Sequence, residues 1–307
     1  MIKIGILGMS AGNAHPYSWS AIINGQFDSE EITRVGYPAV AAYLQANKDT
    51  LGLNDARVTH VWTQEAEISA SIAKTTGISR VVANAGDMIG NVDAVILLRD
   101  DPENHKEMAK PFIDAGIPIF IDKPLASTLE DLAYFADENR KGKVIMSCSS
   151  MRYASEARNI KIEFSSLGKI ELITATGKKD WLKYGVHMLE AVFMLIDDAT
   201  PDTVKHISEK GKDIVHLTFL NGLQIVVNLF YDISPTFQVS VFGQQGWRLI
   251  EIKNSYSMFR DNIIEFVRSV YAEKSRLDFA KTENIIRTLI AANESLEQGG
   301  KTIKLNC

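Results

Sequence analysis

Short apolar runs that end abruptly in polar or turn residues set the rhythm of the first half of the chain. Ile2–Leu7, Val58–Thr63, Arg80–Val82, Val92–Leu98, Ile117–Ile121 and Lys143–Ser147 each have the length of a strand, and most carry apolar residues on both alternating faces. A run of that kind belongs to a parallel sheet covered on both sides, since a sheet wetted on one side would alternate apolar with polar positions. Helical stretches fall between them. One opens near Ser18, an extra one covers Ala39–Gln45 behind Pro38, and others start at Glu65, cover Glu103–Ala115 up to the stop at Gly116, and cover Ser127–Glu138. Strand and helix alternating in this way predict a doubly wound α/β sheet.

The second half reads differently. A helix over Tyr153–Ser165 leads to a strand, Lys169–Thr176, and then to a helix over Asp180–Ile196 whose Val186, Leu189, Val192, Phe193 and Ile196 stand at core spacing. From Thr203 the pattern is that of a meander. Ile214–Leu220 and Leu223–Tyr231 flank Asn221-Gly222, the strongest short hairpin signal, and Phe237–Phe242 and Trp247–Ile252 flank a second glycine-bearing turn. Helices at Met258–Glu273 and Glu283–Glu297 and a strand at Thr302–Leu305 close the chain. This predicts an α+β domain with a large, open, mainly antiparallel sheet, and puts the boundary so that 1–148 and 149–307 are separate domains. Leu223–Phe230 has apolar residues on both faces, so a second subunit is expected to cover the sheet, as a homodimer or homotetramer.

Composition narrows the function classes. The 307 residues include 46% hydrophobic and 23% charged residues, as in an ordinary globular protein long enough for two domains. The net charge of −5 and the lack of a long basic run argue against nucleic acid as a partner. Met1–Met9 is apolar but is followed by Ser10, Asn13 and His15, which suits neither a signal peptide nor a spanning helix, so no membrane association is expected. Cys148 and Cys307 form no disulfide or zinc pattern; no metal site and a cytoplasmic setting are expected.

Three stretches carry candidate chemistry. Ile117–Ile121 runs into Asp122-Lys123-Pro124, and the proline keeps the lysine out of a helix at the carboxyl edge of the sheet, where open α/β sheets bind ligands. Lys123 is expected to point into a crevice there, although a lone lysine is more often a solvated turn residue. The first strand runs into Gly8-Met9-Ser10-Ala11-Gly12-Asn13, a tight turn before a helix where backbone N–H groups converge on an anion. Laid on the dinucleotide fingerprint G-x-G-x-x-G, it has Ser10 and Asn13 at the second and third glycines, with Gly12 one place early. At the end of the second strand stand Thr63 and Gln64, neither the carboxylate that marks NAD nor the arginine that marks NADP, so the choice between these cofactors stays open. In the second half Lys183, His187 and Glu190 share one helix face by spacing, as either a functional group or an exposed charged stripe.

These motifs, spread over essentially the whole chain, resemble those of the Gfo/Idh/MocA oxidoreductases. Asp122-Lys123-Pro124 is similar to that family's E-K-P, Gly185-Val186-His187 with Glu190 to its G-x-H-x-x-D, and Arg152-Tyr153 to its R-F pair. The resemblance implies a Rossmann domain binding NAD or NADP, and a hydride transfer to or from a hydroxyl or carbonyl carbon of a sugar, cyclitol or sugar derivative. It implies Lys123 and His187 as proton-handling groups, with Lys183 where the family has an aspartate; an extra positive charge would favour an anionic substrate. It further implies cofactor contacts at Gly8, Met9, Ser10, Gly12, Asn13, Thr63, Gln64, Asp100, His105 and Asp122, and substrate contacts at Arg152, Trp181, Tyr184 and Glu190. The alternative is a non-catalytic dinucleotide or sugar sensor on the same fold, which fold alone does not exclude.

Overall fold

The computed structural model describes residues 1–305. Cys307 lies outside them, so the expectation about its pairing goes untested; Cys148 is buried, its thiol donating to Asn262 Oδ1 at 3.4 Å. The elements in chain order are β1 (Ile2–Leu7), α1 (His15–Asn24), α2 (Ser29–Arg34), α3 (Pro38–Ala46), β2 (Ala56–Trp62), α4 (Ala66–Thr76), β3 (Arg80–Val81), β4 (Ala94–Leu97), α5 (His105–Asp114), β5 (Ile119–Ile121), α6 (Leu129–Arg140) and β6 (Ile145–Met146). They continue with α7 (Ser155–Lys161), β7 (Ile170–Lys178), α8 (Trp181–Leu195), β8 (Thr203–Ser208), β9 (Lys212–Thr218), β10 (Gln224–Phe230), β11 (Phe237–Gly243), β12 (Trp247–Glu251), α9 (Ser255–Tyr271), α10 (Phe279–Glu297) and β13 (Ile303–Lys304).

The chain forms two compact units. The first holds Met1–Ala126, Glu130–Cys148 and Phe259–Phe279, and the second holds Ser127–Leu129, Ser149–Met258 and the described residues from Ala280 onward. The return of 259–279 to the first unit was absent from the sequence expectation. Helix periodicity announces that a helix exists, but the surface on which it packs is encoded elsewhere.

In the first unit the sheet order is β3-β2-β1-β4-β5-β6 with every pair parallel, the doubly wound Rossmann order. The apolar runs earn this placement: Ile4, Ile6, Ala94–Leu97 and Ile119–Ile121 are all inaccessible to solvent. α9 supplies Phe266 against Phe120, and Phe259 against Trp19, so the returning helix closes an aromatic cluster beside β5. The buried rings of Trp19, Phe120 and Phe266 each contribute about 2–3 kcal/mol through apolar area removed from water. An unexpected short helix, α2, precedes α3; Asp28 caps it by accepting hydrogen bonds from the backbone N–H groups of Glu30 and Glu31.

The second unit is built on a seven-stranded sheet of order β12-β11-β7-β10-β9-β8-β13. All its pairs are antiparallel except β7 with β10. Along β10, Ile225, Val227 and Leu229 are buried, whereas Gln224, Val226, Asn228 and Phe230 are half-exposed. The helix expected over 153–165 is instead α7 followed by a separate 3-10 turn at Phe164–Leu167. No helix among the described residues is long and apolar enough to cross a membrane.

Candidate active site

The carboxyl edge of the first sheet gathers the ends of β1, β4 and β5. After β1, Gly8 and Gly12 take left-handed backbone angles, φ +75° and +80°, which makes glycine the suitable residue at both turns. The backbone N–H groups of Ser10, Ala11 and Gly12 donate to no acceptor among the described residues. They stand just before the amino terminus of α1, the arrangement that receives a phosphate. A Cβ at Gly12 would meet nothing within 4 Å, so the turn opens outward, whereas one at Gly8 would press on Arg99 and Met108. The residues in place of the fingerprint glycines are structural ties. Ser10 Oγ donates to Asp100 at the end of β4 and accepts from the Asp100 backbone N–H. Asn13 Nδ2 reaches Asp122 Oδ2 at 2.9 Å, beyond β5.

Asp122 is the fully buried carboxylate of this edge. It is 1% exposed; Oδ2 accepts from Asn13 and lies 2.7 Å from His15 Nδ1, and Oδ1 accepts from the Lys123 backbone N–H at 2.9 Å. Burial by itself would raise its pKa, but the His15 charge and hydrogen bond, the Lys123 ammonium and the Asn13 amide outweigh it and hold the carboxyl below its ordinary range. Lys123 is 8% exposed, with Nζ 3.9 Å from Asp100 Oδ2. A buried amine beside a carboxylate at a ligand-binding edge is suited to taking and returning a proton.

In the second unit α8 carries the other candidate. Asp180 caps its start by accepting from the Lys183 N–H at 3.0 Å. His187 is half-buried, with Nδ1 2.6 Å from Ser149 Oγ and its ring 5.0 Å from that of Tyr184. Tyr184 stacks on Phe237 and lies under the Lys179 ammonium, forming an aromatic shelf beside the histidine. Behind it, Glu190 accepts from the Ser149 N–H and from Arg152, and Arg152 also forks onto Asp198, which Lys281 joins at 3.1 Å.

The other expected site residues have these surroundings. Arg152 and Glu190, expected at the substrate, are 5% and 1% exposed and committed to each other. Trp181 is buried against His206 and fills the space beside Gly185, where a Cβ would come within 2.7 Å of its ring. Thr63, expected at the ribose, turns inward: its hydroxyl meets Ser69 Oγ and donates to the Glu65 carbonyl at the start of α4. His105 is wholly buried, its ring nitrogens 2.9 and 3.0 Å from the Arg99 and Leu125 carbonyls, and it straps two loops together. Gln64 is exposed and its side-chain amide bonds both the N–H and the carbonyl of Met9, so these two expected residues do meet at the turn. Lys183 is exposed and forms no ion pair among the described residues, neither with Asp180 nor with Glu190. Sequence reasoning missed His15, Ser149 and Asp198; only the polar residue at the start of α1 offered a signal, and only for His15.

A model of the oxidoreductase family with an NAD-binding Rossmann fold, GFO_IDH_MocA, matches residues 2–149. Residues 2–149 belong to the Gfo/Idh/MocA family. Among curated proteins, inositol 2-dehydrogenase 3 of Saccharopolyspora erythraea is 34% identical over 101 residues, which are 32% of this chain and 29% of that relative. The match thus spans less than a third of the relative's length. Solved structures extend the likeness in fold to the whole chain. Myo-inositol 2-dehydrogenase from Lactobacillus plantarum superposes with a TM-score of 0.78 at 14% identity, covering 99% of both chains. Myo-inositol dehydrogenase from Lactobacillus casei, solved with NAD(H) and myo-inositol, gives 0.75 at 17% identity, covering 100% of this chain and 97% of that one. Gfo/Idh/MocA proteins carry their lysine in an E-K-P motif; here the shorter Asp122 precedes it, and His15 and Asn13 fill the space around its carboxylate.

Proposed function

We propose that the chain is an NAD-dependent oxidoreductase that moves a hydride to or from a hydroxyl-bearing carbon of a sugar-like or cyclitol substrate. The observation that carries this is the buried Lys123 amine, 3.9 Å from Asp100 at the same sheet edge as a turn with three unspent N–H groups. That turn fits a dinucleotide: the N–H groups of Ser10–Gly12 would hold a diphosphate, and the open space beyond Gly12 leaves room for it. Bound nicotinamide supplies the acceptor or donor of the hydride.

The chain's own residues then handle the proton. A carbinol loses its hydride only as its hydroxyl proton is taken, and Lys123 Nζ is the group to take it, with Asp100 balancing the charge gained. Asp122 fixes the Lys123 backbone through Oδ1 and is fixed in turn by His15 and Asn13. His187 is the second proton-handling residue by the family pattern. The dehydrogenase names of the matched relative and structures favour this reading over a non-catalytic sensor. The test is nicotinamide absorbance with purified protein, NAD or NADP, and a panel of cyclitols, neutral sugars and sugar acids. Turnover that is lost in Lys123→Met supports the proposal; no turnover across the panel together with no cofactor binding would refute it.

We also infer a homo-oligomer formed through the open face of the second sheet. Ile207, Phe242, Trp247 and Leu249 are exposed on its strands, in register with the half-exposed positions of β7 and β9–β11. An apolar surface of this kind is covered in most proteins by another chain. Light scattering at micromolar concentration that shows monomer alone would contradict it.

A further inference from the structure

We infer that Ser149 is a positioning residue that sets the tautomer of His187, donating its hydroxyl proton to Nδ1 and so keeping the ring proton on Nε2. Ser149 is 1% exposed, and its Oγ has two polar neighbours: the Met151 backbone N–H at 3.2 Å and His187 Nδ1 at 2.6 Å. A backbone N–H can only donate, so Oγ accepts from Met151 and its own hydrogen has one destination, the lone pair of Nδ1. With the proton on Nδ1 instead, two N–H groups would point at Oγ, and the serine hydrogen would be buried without an acceptor among the described residues. That arrangement is the more costly one.

The surroundings hold Ser149 for this task. Its backbone N–H donates to Glu190 Oε1 at 3.1 Å, and Glu190 sits on α8 three residues beyond His187, clamped by Arg152, which is itself anchored on Asp198. The buried Arg152–Glu190 pair thereby acts on the histidine through the serine. The residue one turn before His187 cannot do the same. Lys183 is exposed and carries an ammonium, which has only donors to offer, whereas the Gfo/Idh/MocA pattern places a carboxylate there. A carboxylate on Nδ1 would hold Nδ1–H and leave Nε2 as a base; a hydroxyl donor on Nδ1 leaves Nε2–H as a hydrogen-bond donor. In its neutral form His187 then presents a donor and not a base at Nε2. What that donor does for a ligand rests on the oxidoreductase reading, but the tautomer itself does not.

The test is nitrogen NMR of the full chain with ring-labelled histidine, read where the His187 signals no longer move with pH. The sequence has six histidines, and the His187 pair is assigned by its loss in His187→Gln. The expected result is a protonated Nε2 and a bare Nδ1, with the Nε2–H form in excess by roughly tenfold or more. Ser149→Thr, which keeps the hydroxyl, should retain the pattern, and Ser149→Ala should move it towards Nδ1–H. A dominant Nδ1–H form in the unsubstituted protein, or an unchanged pattern in folded Ser149→Ala, would overturn the inference. If Ser149→Ala fails to fold, the unsubstituted protein and Ser149→Thr decide. No cofactor or substrate enters the measurement, so failure of the proposed function shows in turnover and binding, and failure of this inference in the ring nitrogens.

Discussion

Two carboxylates, one in each unit, are buried to the same 1% exposure and held by cationic partners, yet their acidities move in opposite directions. Asp122 is pushed down because, against the cost of burial, His15, Lys123 and Asn13 all favour its charged form. Glu190 is pushed up by burial, which Arg152 and the Ser149 N–H only partly offset, and Asp198 adds a like charge. The difference lies in how the cations are shared. Asp122 has the His15 ring to itself and shares only Lys123, which also faces Asp100, whereas Glu190 divides its one guanidinium with Asp198, and Asp198 alone has the further help of Lys281, which with Arg152 keeps it below its ordinary range. A buried ion pair is therefore not one kind of object: a carboxylate that keeps a cationic partner of its own is held as an anion, and one that shares its only guanidinium is not.

The comparison can be broken from its strongest side first. Arg152→Met leaves Glu190 and Asp198 buried without their shared cation and should cost about 3–5 kcal/mol in urea unfolding. Asp122→Asn should come next, at about 1–3 kcal/mol, since it keeps the shape but turns one accepting oxygen into a donor facing donors. Glu190→Gln should cost less than Asp122→Asn, because burial already opposes the charge it removes. Equal losses in the two would erase the distinction drawn here.

The pH dependence separates them by sign. Asp122 has a folded pKa below the ordinary 3.8, so its contribution is complete above that value and is lost as the pH falls through the lower, folded one. Glu190 has a folded pKa above the ordinary 4.5, so its penalty applies above the folded value and is relieved as the pH falls towards 4.5. Unfolding free energies of Asp122→Asn and Glu190→Gln, each measured against the unsubstituted protein on acidification, should therefore diverge in slope. The smallest effect belongs to Lys183→Met, an exposed site without an ion pair, which should stay within about 0.5 kcal/mol.

How far the sequence reaches also differs between the two regions. The edge at residues 117–124 was legible because an apolar run, a charge pair and a proline are local signals, and the doubly wound order followed from their repetition. The Asn221-Gly222 hairpin was legible for the same reason. What joined the elements was not. His15 meets Asp122 across 107 residues and Arg152 meets Asp198 across 46, and no periodicity encodes such a partner. The helix face of Lys183, His187 and Glu190 shows the limit of spacing itself. The three share a side of α8, but about 10 Å along the axis separates first from last, enough to pass from solvent to core. Spacing gives the face; depth depends on what the helix packs against.

NADH fluorescence titration of the unsubstituted chain beside Gly12→Val tests most directly whether the turn from Gly8 to Asn13 holds a nicotinamide dinucleotide. No protein atom lies within 4 Å of a Cβ at that position, so valine there strains the backbone at φ +80° without striking the core. The account predicts saturable binding by the unsubstituted chain and a loss of at least about tenfold in affinity in a variant that keeps its cooperative unfolding. Unchanged affinity in folded Gly12→Val, or no binding of NADH or NADPH by the unsubstituted chain, would contradict it.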